Sequence, residues 1–392
     1  MASGQQLTRR SFLTTTLSAA SASAIGSLPV AASDEWSTAG QNQLNHRYMT
    51  TTQLAGDGAT EQWFLSSGTS PTSEVVVADD EVYFSDASGA AYRVTQAGGT
   101  RTYQQAITTT ANNQQLQTAT PAVDKPSLYI GDPTGGIYAV DVESGDTIWE
   151  VTTNAPIRAP LRIGEYVYAG DDDGIVRALE PDSGDIAWRF EASSRVRAAP
   201  AIDNQRIYIA AHNGAVHALN TRTGASNRIF VAQGDIVAAP LVVGSRVIVA
   251  TTTGVVKAVV PENGANEWRQ ELGEPIRATP ATDGDTLLLA TVPGTVVALD
   301  ITTGQEQWRT DISGSIETGI VATDRTVCVG TDAGTIVTLG REQRTPIWTF
   351  DADAPVITPL SAANGNLYFG TQDAGITAIT STTSPIYTVR ST

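Results

Sequence analysis

The sequence repeats itself, and that decides more about its fold than any single motif. "IGDPTGGIYAVDVESGDTIW" ends at Trp149 and "AGDDDGIVRALEPDSGDIAW" ends at Trp188. "AAHNGAVHALNTRTGASNRIF" and "ATTTGVVKAVVPENGANEW" follow, then "ATVPGTVVALDITTGQEQW" ending at Trp308 and "GTDAGTIVTLGREQRTPIW" ending at Trp348. The first turn glycines, Gly135, Gly174, Gly214, Gly254, Gly294 and Gly334, stand 39 or 40 residues apart. Weaker copies at 83–103 and 368–387 bring the count to eight. Within each copy a proline-marked start leads to a β-branched and aromatic run such as "EYVYAG". A glycine turn, a second short run, a capped turn such as "EPDSGD" and a strand carrying tryptophan complete it. Short strands with turn signals and no helical period indicate an all-β chain. Four strands per ~40 residues is the blade period of a propeller. The expectation is a single domain: an eight-bladed β-propeller of four-stranded antiparallel blades over 59–392.

Trp149, Trp188, Trp268 and Trp308 follow a turn glycine by four residues, Trp348 stands at the same place in a copy whose turn has lost its glycine, and all five are expected to fill the seams between blades. One unit breaks the pattern, with Arg228 where the indole belongs, and Tyr103 and Tyr387 take that place in the end copies. Closure has two readings: Trp63, in "EQWFLSS", stands on an extra outer strand that pairs with the last blade and latches the ring, or "SPIYTV" near the C-terminus completes that blade. The N-terminal latch is preferred because tying the ends together removes an exposed edge. Residues 33–58, with Trp36 and few strand signals, are expected to lie across the blades.

The front end reads as a targeting segment. Paired Arg9 and Arg10, a weakly apolar Ser/Thr/Ala stretch and Val30-Ala31-Ala32 resemble a twin-arginine export signal over 1–32. No cysteine follows it for a lipid anchor, and no later apolar run is long enough to span a membrane. Export to the cell exterior or cell surface, without an anchor, is the expected location.

Charge narrows the partners. The chain has 41 Asp+Glu against 24 Lys+Arg, a net charge of −17, and only two lysines, Lys125 and Lys257. Such a balance suits concentrated salt, where a Debye length of about 3 Å or less screens the self-repulsion. It is the composition expected of an extreme halophile, and it argues against nucleic acid or anionic membranes as partners. The lone cysteine, Cys328, excludes an intrachain disulfide and reads as an inert buried thiol in "TVCVG".

The pattern in "AVDVESGDTIW" (139–149), "ALEPDSGDIAW" (178–188) and "ALDITTGQEQW" (298–308) resembles the pyrroloquinoline-quinone-type (PQQ-like) propeller repeat, over roughly residues 60–390. The resemblance implies the fold, and two branches of the superfamily imply different functions. Quinoprotein dehydrogenases hold the quinone and Ca²⁺ over the channel with residues on long insertions. The BamB-like branch binds partner proteins and carries no cofactor. Here the repeats are bare. The longest insertion, around 104–118, offers no acid or aromatic ring, and no vicinal cysteines or haem motif occur. No cofactor residue is therefore assigned.

Three constellations were weighed for chemistry. Asp171-Asp172-Asp173-Gly174 lacks the alternating ligands of a calcium loop and reads as a solvated hairpin turn. His212 and His217 flank a turn without a third zinc ligand, and His46 lies outside the repeats. No nucleophile–histidine pair or phosphate loop is present. The segments entering each first strand align Gln117, Arg158, Arg197, Val237, Arg277, Glu317 and Ile357 at one repeat position, which in a propeller rings one channel mouth. Arg158, Arg197 and Arg277 could bind a carboxylate ligand or an acidic peptide segment, or Arg277 and Glu317 could form an ion pair between neighbouring blades. The expected function is an exported, non-catalytic, monomeric binding or scaffolding module for a protein partner at the cell surface, with no metal. A minimal quinone-dependent dehydrogenase for alcohols or sugars and an extracellular solute sensor are the alternatives.

Overall fold

A computed structural model describes residues 36, 38–49, 54–99, 118–203, 205–372 and 375–382, and the backbone of 101–106. The export-signal region, Gln117, the Tyr103 side chain and Tyr387 lie outside the described residues.

Eight antiparallel sheets follow one another along the chain, seven of four strands and one of five, with no helix among the described residues. Blade three is typical. Arg162–Ile163, Val167–Gly170, Ile175–Leu179 and Ile186–Glu191 pair in sequence order. Its second strand is buried throughout, because neighbouring blades cover both faces. Its outermost strand buries only Trp188. First strands of adjacent blades touch each other and so line the axis.

The apolar core is a ring of seams. Tyr168, Val176 and Trp188 of blade three pack with Ile202, Ile207 and Ile209 of blade four. The two strongest signals of the repeat meet there, across neighbouring units. The Trp188 ring lies over Gly224 of the next blade, where an added β-carbon would come within 2.6 Å of it, and Trp188 Nε1 donates to the Thr221 carbonyl at 2.8 Å. Gly224 also has φ +66°, so it is required twice over, for conformation and for space. Trp149 on Gly184, Trp268 on Gly304 and Trp63 on Gly99 repeat the contact. Their indoles donate to Pro181, Ile301 and Gln96 carbonyls. Trp348 donates instead to Leu54, ahead of the closing strand. Trp308 is only half-buried, and Arg344 (φ 60°) stands where the facing turn would carry glycine.

The reading of Arg228 is corrected. In the other blades the β-bulge lies beside the equivalent step of the third strand, as at Ala178/Leu179, Arg93/Val94 and Thr338/Leu339, but here it falls at Val216/His217. The outer strand is thereby advanced one place. Arg228 is exposed, and Ile229, 8% exposed, fills the seam against Gly264.

Closure follows the N-terminal latch. Gly58–Ser66 pairs antiparallel with Gly375–Thr382, Trp63 opposite Ala378, as the outermost strand of blade eight. One apolar cluster then joins Trp63, Phe84, Trp348 and Tyr368, tying blades seven, eight and one.

Candidate functional site

A propeller's enclosed space is its axial channel, and residues 36–49 of this chain occupy it. Trp36 exchanges backbone hydrogen bonds with Val77 on the first strand of blade one. Carbonyls of Gln43, Leu44, His46 and Arg47 then accept from Ile202, Val242, Thr282 and Ala322, on the first strands of blades four to seven. Tyr48–Met49 finishes the run as a parallel fifth strand against Val321–Thr323. Asn45 Nδ2 spreads across the Pro200 and Pro240 carbonyls at 3.2 and 2.8 Å. Arg47 reaches blade eight through the Leu360 carbonyl and pairs with Glu74 at 2.8 Å, both buried. The segment expected to lie across the blades thus lies inside their ring as a plug.

The aligned ring stands where the chain enters each first strand, on the same face as the hairpins joining second and third strands. Asp172 N, in one such hairpin, donates to Pro156 O in the entering segment. Asp172 bridges two ring residues. It takes Arg197 in a fork at 2.7 and 2.8 Å, and Arg158 lies 3.6 Å away. Burial opposes its charge, but the Arg197 and Arg158 guanidiniums outweigh that and hold its carboxyl below the usual range. Arg277 meets Glu317 at 3.6 Å, the inter-blade ion pair. Val237 and Ile357 interrupt the ring with apolar side chains. Between them runs a second relay, in which Arg195 lies 3.0 Å from His212 Nε2 and His212 Nδ1 lies 3.3 Å from Asp235. Alignment of one repeat position finds the arginines but leaves out Asp172, which joins Arg158 of its own blade to Arg197 of the next, and the Arg195–His212–Asp235 relay, whose members sit at other repeat positions.

The aspartate run is also corrected. Asp171 is fully buried. Its Oδ1 accepts from the Asp173 and Ile175 amides, and its Oδ2 takes Arg177 at 2.6 Å. Asp86 and Asp132 do the same in blades one and two with Tyr92 and Tyr138, so the position braces its hairpin from within. His217 is buried against the Phe190 ring, 5.0 Å away, and burial with Arg228 nearby lowers its pKa. Cys328 is buried, its thiol pushed up to about 11 by that burial. Among the described residues no group of three or more His, Cys, Asp or Glu side chains could hold a metal ion. Glu317 of the ring and Asp172 beside it are both engaged with arginine.

Fold and repeat define an all-β propeller of the PQQ-like class, with eight blades and an axis closed by its own leader segment. The chain belongs to the family described as outer membrane protein assembly factor BamB, which matches residues 4–169, 135–227, 172–317 and 292–384. Among solved structures it is similar to BamB from Moraxella catarrhalis, at 21% identity and a TM-score of 0.68 over 82% of this chain and 99% of that one. Quinohemoprotein alcohol dehydrogenase from Comamonas testosteroni superposes with a TM-score of 0.74 at 12% identity, over 88% of this chain and 80% of that one. The computationally designed protein Ika8 superposes with a TM-score of 0.71 at 16% identity, over 81% and 98%. Likeness at these identities establishes the fold. No curated protein sequence matches the chain.

Proposed function

We propose that this chain is an exported, non-catalytic propeller that captures a protein partner on its outer faces, at the surface of a halophilic cell. The plug carries the reading. Residues 36–49 bond to the first strands of most blades and occupy the space in which a propeller would otherwise enclose a small molecule. Recognition is left to exposed surface, which suits a macromolecular partner better than a buried cofactor. The family to which the chain belongs supports the same direction.

The proposed contact is the mouth ring of Arg158, Arg197, Arg277 and Glu317, with Gln117 beside it in sequence register. Arg197 and Arg277 keep side chains 41% and 53% exposed while ion-paired, so their outer N–H edges remain open to a carboxylate on an acidic partner segment. The twin-arginine stretch, the absence of a cysteine after it and the −17 charge support export into salt without a lipid anchor. A monomer with neither metal nor quinone is the form proposed.

Two arms of one experiment test this. Cell-surface extract in high salt is passed over the full protein and over the Arg158→Ala/Arg197→Ala/Arg277→Ala variant. One partner band, held by the parent and lost by the variant, is expected. In the second arm the protein is mixed with the quinone and Ca²⁺, and no chromophore or dye reduction with alcohols or sugars should appear. Identical capture by both proteins would remove the ring, and a bound, reducible chromophore would replace this reading by the dehydrogenase one.

A further inference from the structure

The plug buries an unbalanced charge. Arg47 is fully provided for. Its Nη1 bonds Glu74, its Nε bonds the Ile320 carbonyl at 2.7 Å and its Nη2 bonds the Leu360 carbonyl. Glu74 is provided for too, since Oε1 also accepts from Trp36 Nε1 at 2.7 Å and from the Gly40 amide at 3.3 Å. Arg162, on the first strand of blade three, is not. It is 0% exposed, and its Nε bonds the Pro200 carbonyl at 2.8 Å. Among the described residues neither Nη1 nor Nη2 has a partner.

The unpartnered fork is aimed at the plug. A β-carbon on Gly40 would sit 3.4 Å from Arg162 Nη2 and 2.9 Å from Asn45 Oδ1, which places both atoms around one turn of the plug. Gln41 Nε2, in the same turn, is buried and also lacks an acceptor. Asn45 Oδ1 lacks a donor, but the orphaned N–H groups outnumber it. Among the described residues, two buried guanidiniums face one buried carboxylate in the axis, leaving one positive charge without a counter-charge. Burial lowers the Arg162 pKa to about 9, with Glu74 opposing the fall and Arg47 adding to it, so the group stays protonated at neutral pH. A buried cation without a counter-charge is strongly destabilising, and water can satisfy its N–H groups but not its charge.

We infer that the plugged channel binds one small monovalent inorganic anion, of the halide class, between the free fork of Arg162 and the Gly40–Asn45 turn. The charge surplus is one, which sets the valence. The turn closes over the fork, which sets the size. The site is independent of whatever the outer faces bind.

Crystals of the full chain grown with bromide as the only halide, with data at the bromine absorption edge, test it. One buried anomalous peak within hydrogen-bonding distance of Arg162 Nη1 or Nη2 is expected; density there without an anomalous signal would overturn the inference. In solution, replacing gluconate by chloride at fixed ionic strength should raise the thermal midpoint, and Arg162→Leu should lose that shift. An equal shift in the variant would equally overturn it. Should the variant fail to fold, the anomalous map on the parent chain decides alone.

Discussion

Asp171, Asp172 and Asp173 are the same residue three times over, and the fold gives them different surroundings. The first is inside, bracing its hairpin and Arg177; the second joins two blades through arginine; the third faces solvent. In sequence they were one acidic turn, because nothing local distinguishes a residue turned into a hairpin from one turned out of it. Cys328 was legible as buried, since an apolar run on both sides leaves a small thiol nowhere else to be. His46 was not, because its burial depends on a plug that no local pattern announces. Its Nε2 bonds the Val242 carbonyl at 2.7 Å, and burial holds its pKa below the ordinary 6.5 against the pull of that carbonyl. The unfolded chain therefore takes up a proton, as pH falls below about 6.5, that the folded chain refuses. Stability contributed above that pH is lost on acidification. Denaturant midpoints measured from pH 7 to pH 5 should fall more steeply for the parent than for His46→Gln, whose amide can still donate to Val242. Equal slopes would show that His46 is not held neutral.

The outer strand and the turn it faces are the elements that fix the wheel. Counting four residues from the glycines located Trp149, Trp188, Trp268 and Trp308 and placed them in the seams, but did not show which residue each ring covers, which is the turn glycine of the next unit for Trp149, Trp188 and Trp268. That pairing is invisible along a chain in which every unit looks alike. The same count placed Arg228 in a seam, because a β-bulge that moves along its strand shifts the register without altering the spacing of turn glycines. Trp188→Ala should cost about 3–5 kcal/mol of stability in denaturant unfolding, since it empties a buried seam and removes the shorter of two hydrogen bonds to the Thr221 carbonyl. Trp308→Ala should cost clearly less, because that ring is half-exposed and faces no glycine. Equal losses at the two sites would mean that the seam contact is not what the indole supplies.

At the scale of the whole molecule, eight copies were readable from repeats alone, because a repeat states its architecture many times. The choice between an N-terminal and a C-terminal closing strand was left open in sequence and is decided by the pairing of Gly58–Ser66 with Gly375–Thr382. The plug was readable only as a segment crossing the blades. Its residues have no strand period, and its bonds run from backbone carbonyls to first strands hundreds of residues away, so sequence carries no trace of where it docks. It fills the axis, and the proposed function rests on that. Four amides report on it directly: Ile202, Val242, Thr282 and Ala322, each donating to a plug carbonyl. Native-state hydrogen exchange at these four is the sharpest test. A seated plug predicts that all four exchange slowly and together, and that deleting residues up to Met49 releases them while the Gly170 and Ala210 amides, buried at the ends of second strands, stay protected. Fast exchange at those four positions in the intact chain would mean that the axis is open, and the case for a face-binding propeller would fail with it.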